Sequence, residues 1–324
     1  MPVIEPSTYE AKGIFRHPHV NTVYPAVFRS VNGLHYERER VITPDQDFLD
    51  LDWAIGKKND KLIIVLHGLE GNANRPYVRG MVKYFHQAGW DGIGMNFRGC
   101  SGEINRRLKS YHMGMTEDLA LVIRHALAQN KYRTIVLSGF SLGGNVVLKY
   151  LGDSGDQVPT EVKAAVVFSV PCHIVSANKE INKPENALYR YRFIKDLYQK
   201  IEQKAALYPD KIKLHYPKPR YFKEFDDLYT APIHGFKNAL DYWEKCSSLK
   251  VISQIRVPSL LVNAKDDSFL SKQCYPVEQA KALSNFYLEM PQWGGHVGFV
   301  SKFPDGAYWS EVNALKFVGE KVGA

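Results

Sequence analysis

Three residue types, met in order along this chain, have the chemistry to activate a hydroxyl for attack on a carbonyl. The first is Ser141, in Gly139-Phe140-Ser141-Leu142-Gly143, a match to G-x-S-x-G. A serine hydroxyl is a poor nucleophile at neutral pH. It needs a base to take its proton, and the base needs an orienting group. The base is expected at His296, in Gly294-Gly295-His296-Val297-Gly298. The orienting acid is expected at Asp267, with the adjacent Asp266 as its competitor. Asp267 is favoured because Ser268-Phe269 follows it as the usual acid precedes a short turn. Taken singly, an Asp-Asp pair reads as a helix cap and Gly-Gly-His as a loop with an exposed imidazole. Their occurrence together, in the order serine, acid, histidine and each after a strand-like run, favours chemistry over packing.

Attack on a carbonyl also needs donors for the negative oxygen that develops. The backbone N–H of Leu142, directly after the serine, is one candidate. The second is expected in the loop after Leu62–Leu66, at the Leu69 N–H, where Gly68 allows close approach of the chain. His67 beside it is expected to be a structural hydrogen-bonding group rather than a second base.

Other chemistries find less footing. His17, His19, His112 and His234 lack metal-ligand spacing, so no metal site is expected. No G-x-x-x-x-G-K-[ST] exists, so Gly99–Gly102 is not a phosphate loop, and no cofactor is expected. The four cysteines, Cys100, Cys172, Cys246 and Cys274, are scattered without a C-x-x-C pair. Free thiols in a reducing compartment fit them best, and a cytoplasmic location is expected. The net charge of +8 suits acidic ligands or anionic membrane surfaces, but the basic residues are dispersed and nucleic acid is not an expected partner. The N-terminal stretch lacks the basic start and apolar core of a signal peptide, and no apolar run is long enough to span a membrane.

The positioning elements follow from hydropathy patterning. The run Thr134–Leu137, the glycine-flanked Ser141 and Asn145–Leu148 read as strand, sharp turn and helix, with the serine at the apex. Glu37–Thr43 and Phe48–Ala54 read as a hairpin. Leu62–Leu66, Gly92–Phe97, Ala164–Ser169, Pro258–Asn263 and Asn285–Met290 read as further strands, most of them buried on both faces. Helices are expected over Tyr77–Gln87, Thr116–Gln129 (capped by Thr116) and Tyr308–Val322. This alternation defines an α/β class with a mostly parallel sheet. It breaks between Pro171 and Ser248, where Asn186–Tyr208, Phe222–Tyr229 and Gly235–Cys246 look helical. Residues 1–36 read as an irregular arm, 37–170 and 249–324 as the core, and 171–248 as a mainly helical cap over the carboxyl end of the sheet.

The blocks HGLEGNANRPY, NFRGCSGEINR, YHMGMTEDL, GFSLGGN, EFDDLYTAPIHGF, NAKDDSF and GGHVGF resemble the YheT-like branch of the α/β-hydrolase superfamily. They run in matching order from about Phe15 to Phe299. G-x-S-x-G belongs to the whole superfamily, whereas FRGCSGE and EFDD…HG are narrower. Ser268 departs from the proline common after the paired aspartates. The resemblance implies the α/β-hydrolase fold, with an eight-stranded, mostly parallel sheet and a helical cap. It also implies a triad mapping onto Ser141, Asp267 and His296. Its implied activity is hydrolysis of carboxylic esters through an acyl-enzyme, on a small-molecule ester or lipid-like substrate. A thioesterase, lipase or amidase on the same residues is the alternative, and a non-catalytic binding protein on the same scaffold is a third expectation.

Overall fold

The computed structural model describes residues 2–57, 59–301, 303 and 305–323. Nine strands form one sheet: β1 (Val3–Ile4), β2 (Glu37–Ile42), β3 (Phe48–Ala54), β4 (Lys61–Leu66), β5 (Asp91–Met95), β6 (Thr134–Phe140), β7 (Val162–Phe168), β8 (Ser259–Val262) and β9 (Phe286–Glu289). Their spatial order is β1-β9-β8-β7-β6-β4-β5-β3-β2. Among the described residues, only β2–β3 and β3–β5 pair antiparallel. The helices are α1 (Pro18–Phe28), α2 (Pro76–Gln87), α3 (Thr116–Ala128), α4 (Leu142–Ser154), α5 (Ile174–Ile181), α6 (Ala187–Leu207), α7 (Phe222–Phe225), α8 (Ala231–His234), α9 (Ala239–Cys246), α10 (Val277–Ala282) and α11 (Trp309–Val322). Among the described residues, no helix is long and apolar enough to cross a membrane.

Successive side chains on a strand point to opposite faces, and β4 uses both. Leu62, Ile64 and Leu66 pack with Leu119, Val122, Val146 and Val147 from α3 and α4. Ile63 and Val65 pack on the other face with Val78, Met81, Val82 and Phe85 from α2 and with Phe317 and Val318 from α11. Full burial of each such side chain contributes about 1.5–3 kcal/mol, which explains why the strand reads as an unbroken apolar run. The chain leaves β4 for α2 on one face and β6 for α4 on the other. The two neighbouring strands therefore send their loops apart, and a crevice opens at their carboxyl ends, where open α/β sheets bind ligands.

Several local expectations are corrected. The sheet has nine strands rather than eight. The added one is short: Val3–Ile4 runs parallel to Leu288–Glu289, and Leu288 N–H donates to Pro2 O at 2.7 Å, covering an edge that would otherwise be unpaired. The first 36 residues are not irregular throughout, because they hold α1. Thr116 is the first residue of α3 and not its cap. A turn in which Met115 N–H donates to His112 O brings the chain into the helix at Met115. The helical reading of Phe222–Tyr229 resolves into α7, a π-helical turn over Asp226–Thr230 and then α8.

Candidate active site

Ser141 is held at φ 54°, ψ −119°, between the last residue of β6 and the first of α4. A non-glycine residue in such a region carries of the order of 1–3 kcal/mol of strain and persists only where its surroundings force it. The surroundings here are backbone. A Cβ on Gly143 would lie 2.5 Å from His67 O and 2.7 Å from Leu66 O; one on Gly139 would lie 2.6 Å from Gly143 C and O. The two glycines let α4 start directly over the ends of β4 and β6. Gly68 brings the loop after β4 equally close, since its Cβ would sit 3.3 Å from Ser141 Cβ.

His296 lies on the loop after β9, with Nε2 2.9 Å from Ser141 Oγ and Nδ1 2.9 Å from Asp267 Oδ2. The carboxylate accepts, so Nδ1–H donates to it and Nε2 is left to accept from the serine. A hydroxyl paired with a neutral imidazole, itself oriented by a carboxylate, can lose its proton as it attacks. Asp267 is anchored by its other oxygen, which accepts Phe269 N–H at 2.9 Å. Asp266 faces elsewhere: its Oδ1 accepts Gly295 N–H at 2.9 Å, and its Oδ2 is buried with no partner among the described residues. Burial, together with the charge of Asp267, pushes the Asp266 carboxyl up to about 6, against the backbone donors that favour its charge.

The Leu69 and Leu142 N–H groups donate to no other protein group among the described residues. Both residues line one cavity with Ser141 and His296. Gly68 N–H is taken by Tyr77 Oη at 3.0 Å, which fixes the turn beside them. His67 is fully buried. Its Nδ1 donates to Gly68 O at 2.7 Å, and its Nε2 accepts Phe97 N–H at 3.2 Å. Burial holds its imidazole down at about 3, so it is neutral and structural.

Ser141 and His296 stand where two cavities meet. One, about 860 Å3 and partly open to solvent, runs under α5, α6, α7 and α9, lined by residues such as Met113, Ile174, Leu197, Phe222 and Trp243. The other, about 1030 Å3, opens between α1 and the start of α6, with Val23, Ala26, Val27 and Tyr189 on its walls. His112 and His234, whose ring centroids are 4.5 Å apart, are both kept neutral by burial, His234 at about 4.

Sequence reasoning missed the braces of the histidine. Thr22 Oγ1 on α1 accepts His296 N–H at 2.8 Å, Ser169 Oγ accepts Val297 N–H at 2.8 Å, and the Phe269 ring lies 4.3 Å from the imidazole. The glycines around His296 were the available signal. A Cβ on Gly295 would lie 2.4 Å from Pro18 O and one on Gly298 2.3 Å from Asn21 O, so both mark the close passage of α1.

The α/β-hydrolase-fold family matches residues 61–303. YheT of Escherichia coli K12 is 34% identical over 292 residues, covering 88% of this chain and 85% of its own. The phospholipase ABHD3 of Bos taurus is 28% identical over 278 residues, covering 82% of this chain and 67% of its own. An esterase of Pyrococcus furiosus has the same fold, with a TM-score of 0.59 at 17% identity over 89% of this chain and 90% of its own. The chain belongs to the α/β-hydrolase superfamily and, within it, to the YheT-like branch.

Proposed function

We propose that this protein is a serine hydrolase that cleaves carboxylic esters through an acyl-enzyme. Ser141 Oγ attacks the ester carbonyl while His296 Nε2 takes its proton. Asp267 holds the Nδ1–H and stabilises the imidazolium. The Leu69 and Leu142 amides receive the developing oxyanion, where each well-placed donor is worth about 10²–10³ in rate. The imidazolium then returns its proton to the leaving alcohol oxygen. A water activated by the same His296 hydrolyses the acyl-serine, which regenerates the free hydroxyl. The observation that carries this reading is the unbroken pair of 2.9 Å contacts that ends on a serine in a strained turn.

The apolar lining of the cavity under α5–α9 supports a substrate with an extended acyl arm. The relatives named as an esterase and a phospholipase support ester cleavage. In this reading residues 171–248 act as a cap on a core of 37–170 and 249–324, and residues 1–36 as an arm packed on that core. All four cysteines are buried free thiols, which supports a reducing, cytoplasmic setting.

The test is turnover of p-nitrophenyl acetate, butyrate and octanoate by wild type and Ser141→Ala, with fluorophosphonate labelling of both. Turnover and labelling should vanish in the variant, and kcat/KM should rise with acyl length. Equal rates in the two proteins would end the proposal. An intact fold that hydrolyses nothing and takes no label would leave the binding-protein alternative in its place.

A further inference from the structure

Glu70 directly follows Leu69 and sits at φ 52°, in left-handed backbone. Residues 68–71 form a turn closed by Gly71 N–H to Gly68 O at 3.0 Å. Positive φ at its third residue alone is the type II pattern, in which glycine or asparagine is the low-strain occupant. A glutamate there must be held by its own side chain, and every polar atom of that side chain is engaged. Tyr111 Oη accepts Glu70 N–H at 2.9 Å and donates to Oε1 at 2.6 Å. Lys200 Nζ donates to Oε1 at 3.0 Å and lies 2.9 Å from Oε2, with Cys100 Sγ a further 3.0 Å contact. The Glu70 side chain is only 6% exposed. Tyr111 is stacked on Phe97, with 5.2 Å between centroids, and Phe97 N–H is bonded to His67, so the wall behind the turn is rigid.

Lys200 belongs to α6, the helix that also gives Phe193 and Leu197 to the cavity beside Ser141. One buried carboxylate therefore ties the turn carrying the Leu69 amide to the helix that covers the pocket. The geometry points to Glu70, Tyr111 and Lys200 as positioning residues, which aim the Leu69 N–H at the developing oxyanion while α6 is seated. This rests on the ester-hydrolase reading above and deepens it. Loss of Lys200 leaves a buried carboxylate without its counter-charge, a state it escapes by turning towards water. The turn then relaxes, and the amide aimed by it moves. An ion pair that did no more than fasten α6 would change stability or substrate binding and leave kcat alone.

The test uses the full chain and three variants: Lys200→Met, Tyr111→Phe and Glu70→Ala. The last leaves a residue at φ 52° with no carboxylate to hold it there, so the turn is free to relax. With p-nitrophenyl butyrate, kcat should fall about 10–100-fold with KM within about threefold, the pattern of an interaction made in the transition state. Affinity for a trifluoromethyl ketone, which forms a tetrahedral oxyanion on the serine, should fall in the same ratio as kcat/KM. If Glu70→Ala and Lys200→Met keep kcat within about twofold, or bind the ketone as wild type does, the positioning role is overturned; should Lys200→Met not fold, Glu70→Ala and Tyr111→Phe decide. A wild type that neither turns over esters nor takes fluorophosphonate overturns the parent reading as well. An active, labelled wild type with unaffected variants overturns this proposal alone.

Discussion

Thr22 Oγ1 accepts the backbone N–H of His296 at 2.8 Å across 274 residues of sequence, and itself donates to Pro18 O at 2.8 Å. The loop that carries the proposed general base is thus pinned to α1 by a hydroxyl acting in both directions. Thr22→Val keeps the shape and removes the acceptor. An amide left unsatisfied costs about 1–3 kcal/mol, so denaturant unfolding should report a loss of that size. The freed loop should lower kcat by roughly tenfold, since an ångström of misplacement is costly. Thr22→Ser should restore both. A valine variant with wild-type stability and rate would remove the brace from the account.

The two adjacent aspartates should separate cleanly in kinetics. Asp267 touches the imidazole and Asp266 touches a backbone amide. Asp267→Asn presents an amide where Nδ1–H needs an acceptor and favours the wrong tautomer. In serine hydrolases of this design that costs about 10⁴ in kcat. Asp266→Asn keeps an acceptor for Gly295 and should cost less than about tenfold, well short of an oxyanion donor's worth. The reverse ranking would reassign the acid.

Asp226, on the π-helical turn, gives a pH-dependent prediction. Burial raises its carboxyl to about 7, against the donors Thr230 Oγ1 at 2.6 Å and Trp243 Nε1 at 2.7 Å. An unfolded aspartate titrates near about 3.9, so between those values the folded chain holds the extra proton. Stability from this group is then fully present below about pH 4 and is lost as pH rises through about 7. An asparagine side chain at this position would accept from Trp243 and donate to Thr230 at every pH. Asp226→Asn should therefore gain stability relative to wild type in urea melts at pH 8 and show little gain at pH 4. A constant difference across that range would mean the carboxyl is charged throughout.

Much of the fold was legible because β4, β6 and β7 are buried on both faces and leave unbroken apolar runs, the first two each followed by a helical pattern. Val3–Ile4 was not, since two residues carry no periodicity and their pairing depends on a partner 285 residues away. In the candidate site, Ser141 and His296 stood out because each needs small neighbours at a sharp bend. Asp266 and Asp267 were harder to separate, because adjacent residues on one turn differ only in where their side chains point. Thr22 and Lys200 carried no motif, and Tyr111, although it opens the YHMGMTEDL block, carried no sign of the contact it makes. Each acts through contacts with residues far away in sequence, and such contacts leave no spacing to read.

The bond between Thr22 and His296 also has a meaning in time. The helix that steadies the histidine leaves the ribosome well before the loop it steadies, which follows 274 residues later. A nascent chain can build its sheet and display Ser141 at the elbow while still lacking a held base. Ester-cleaving power under the proposed mechanism would then switch on only once that loop has emerged, and a polypeptide cut short before it would carry the serine without its base.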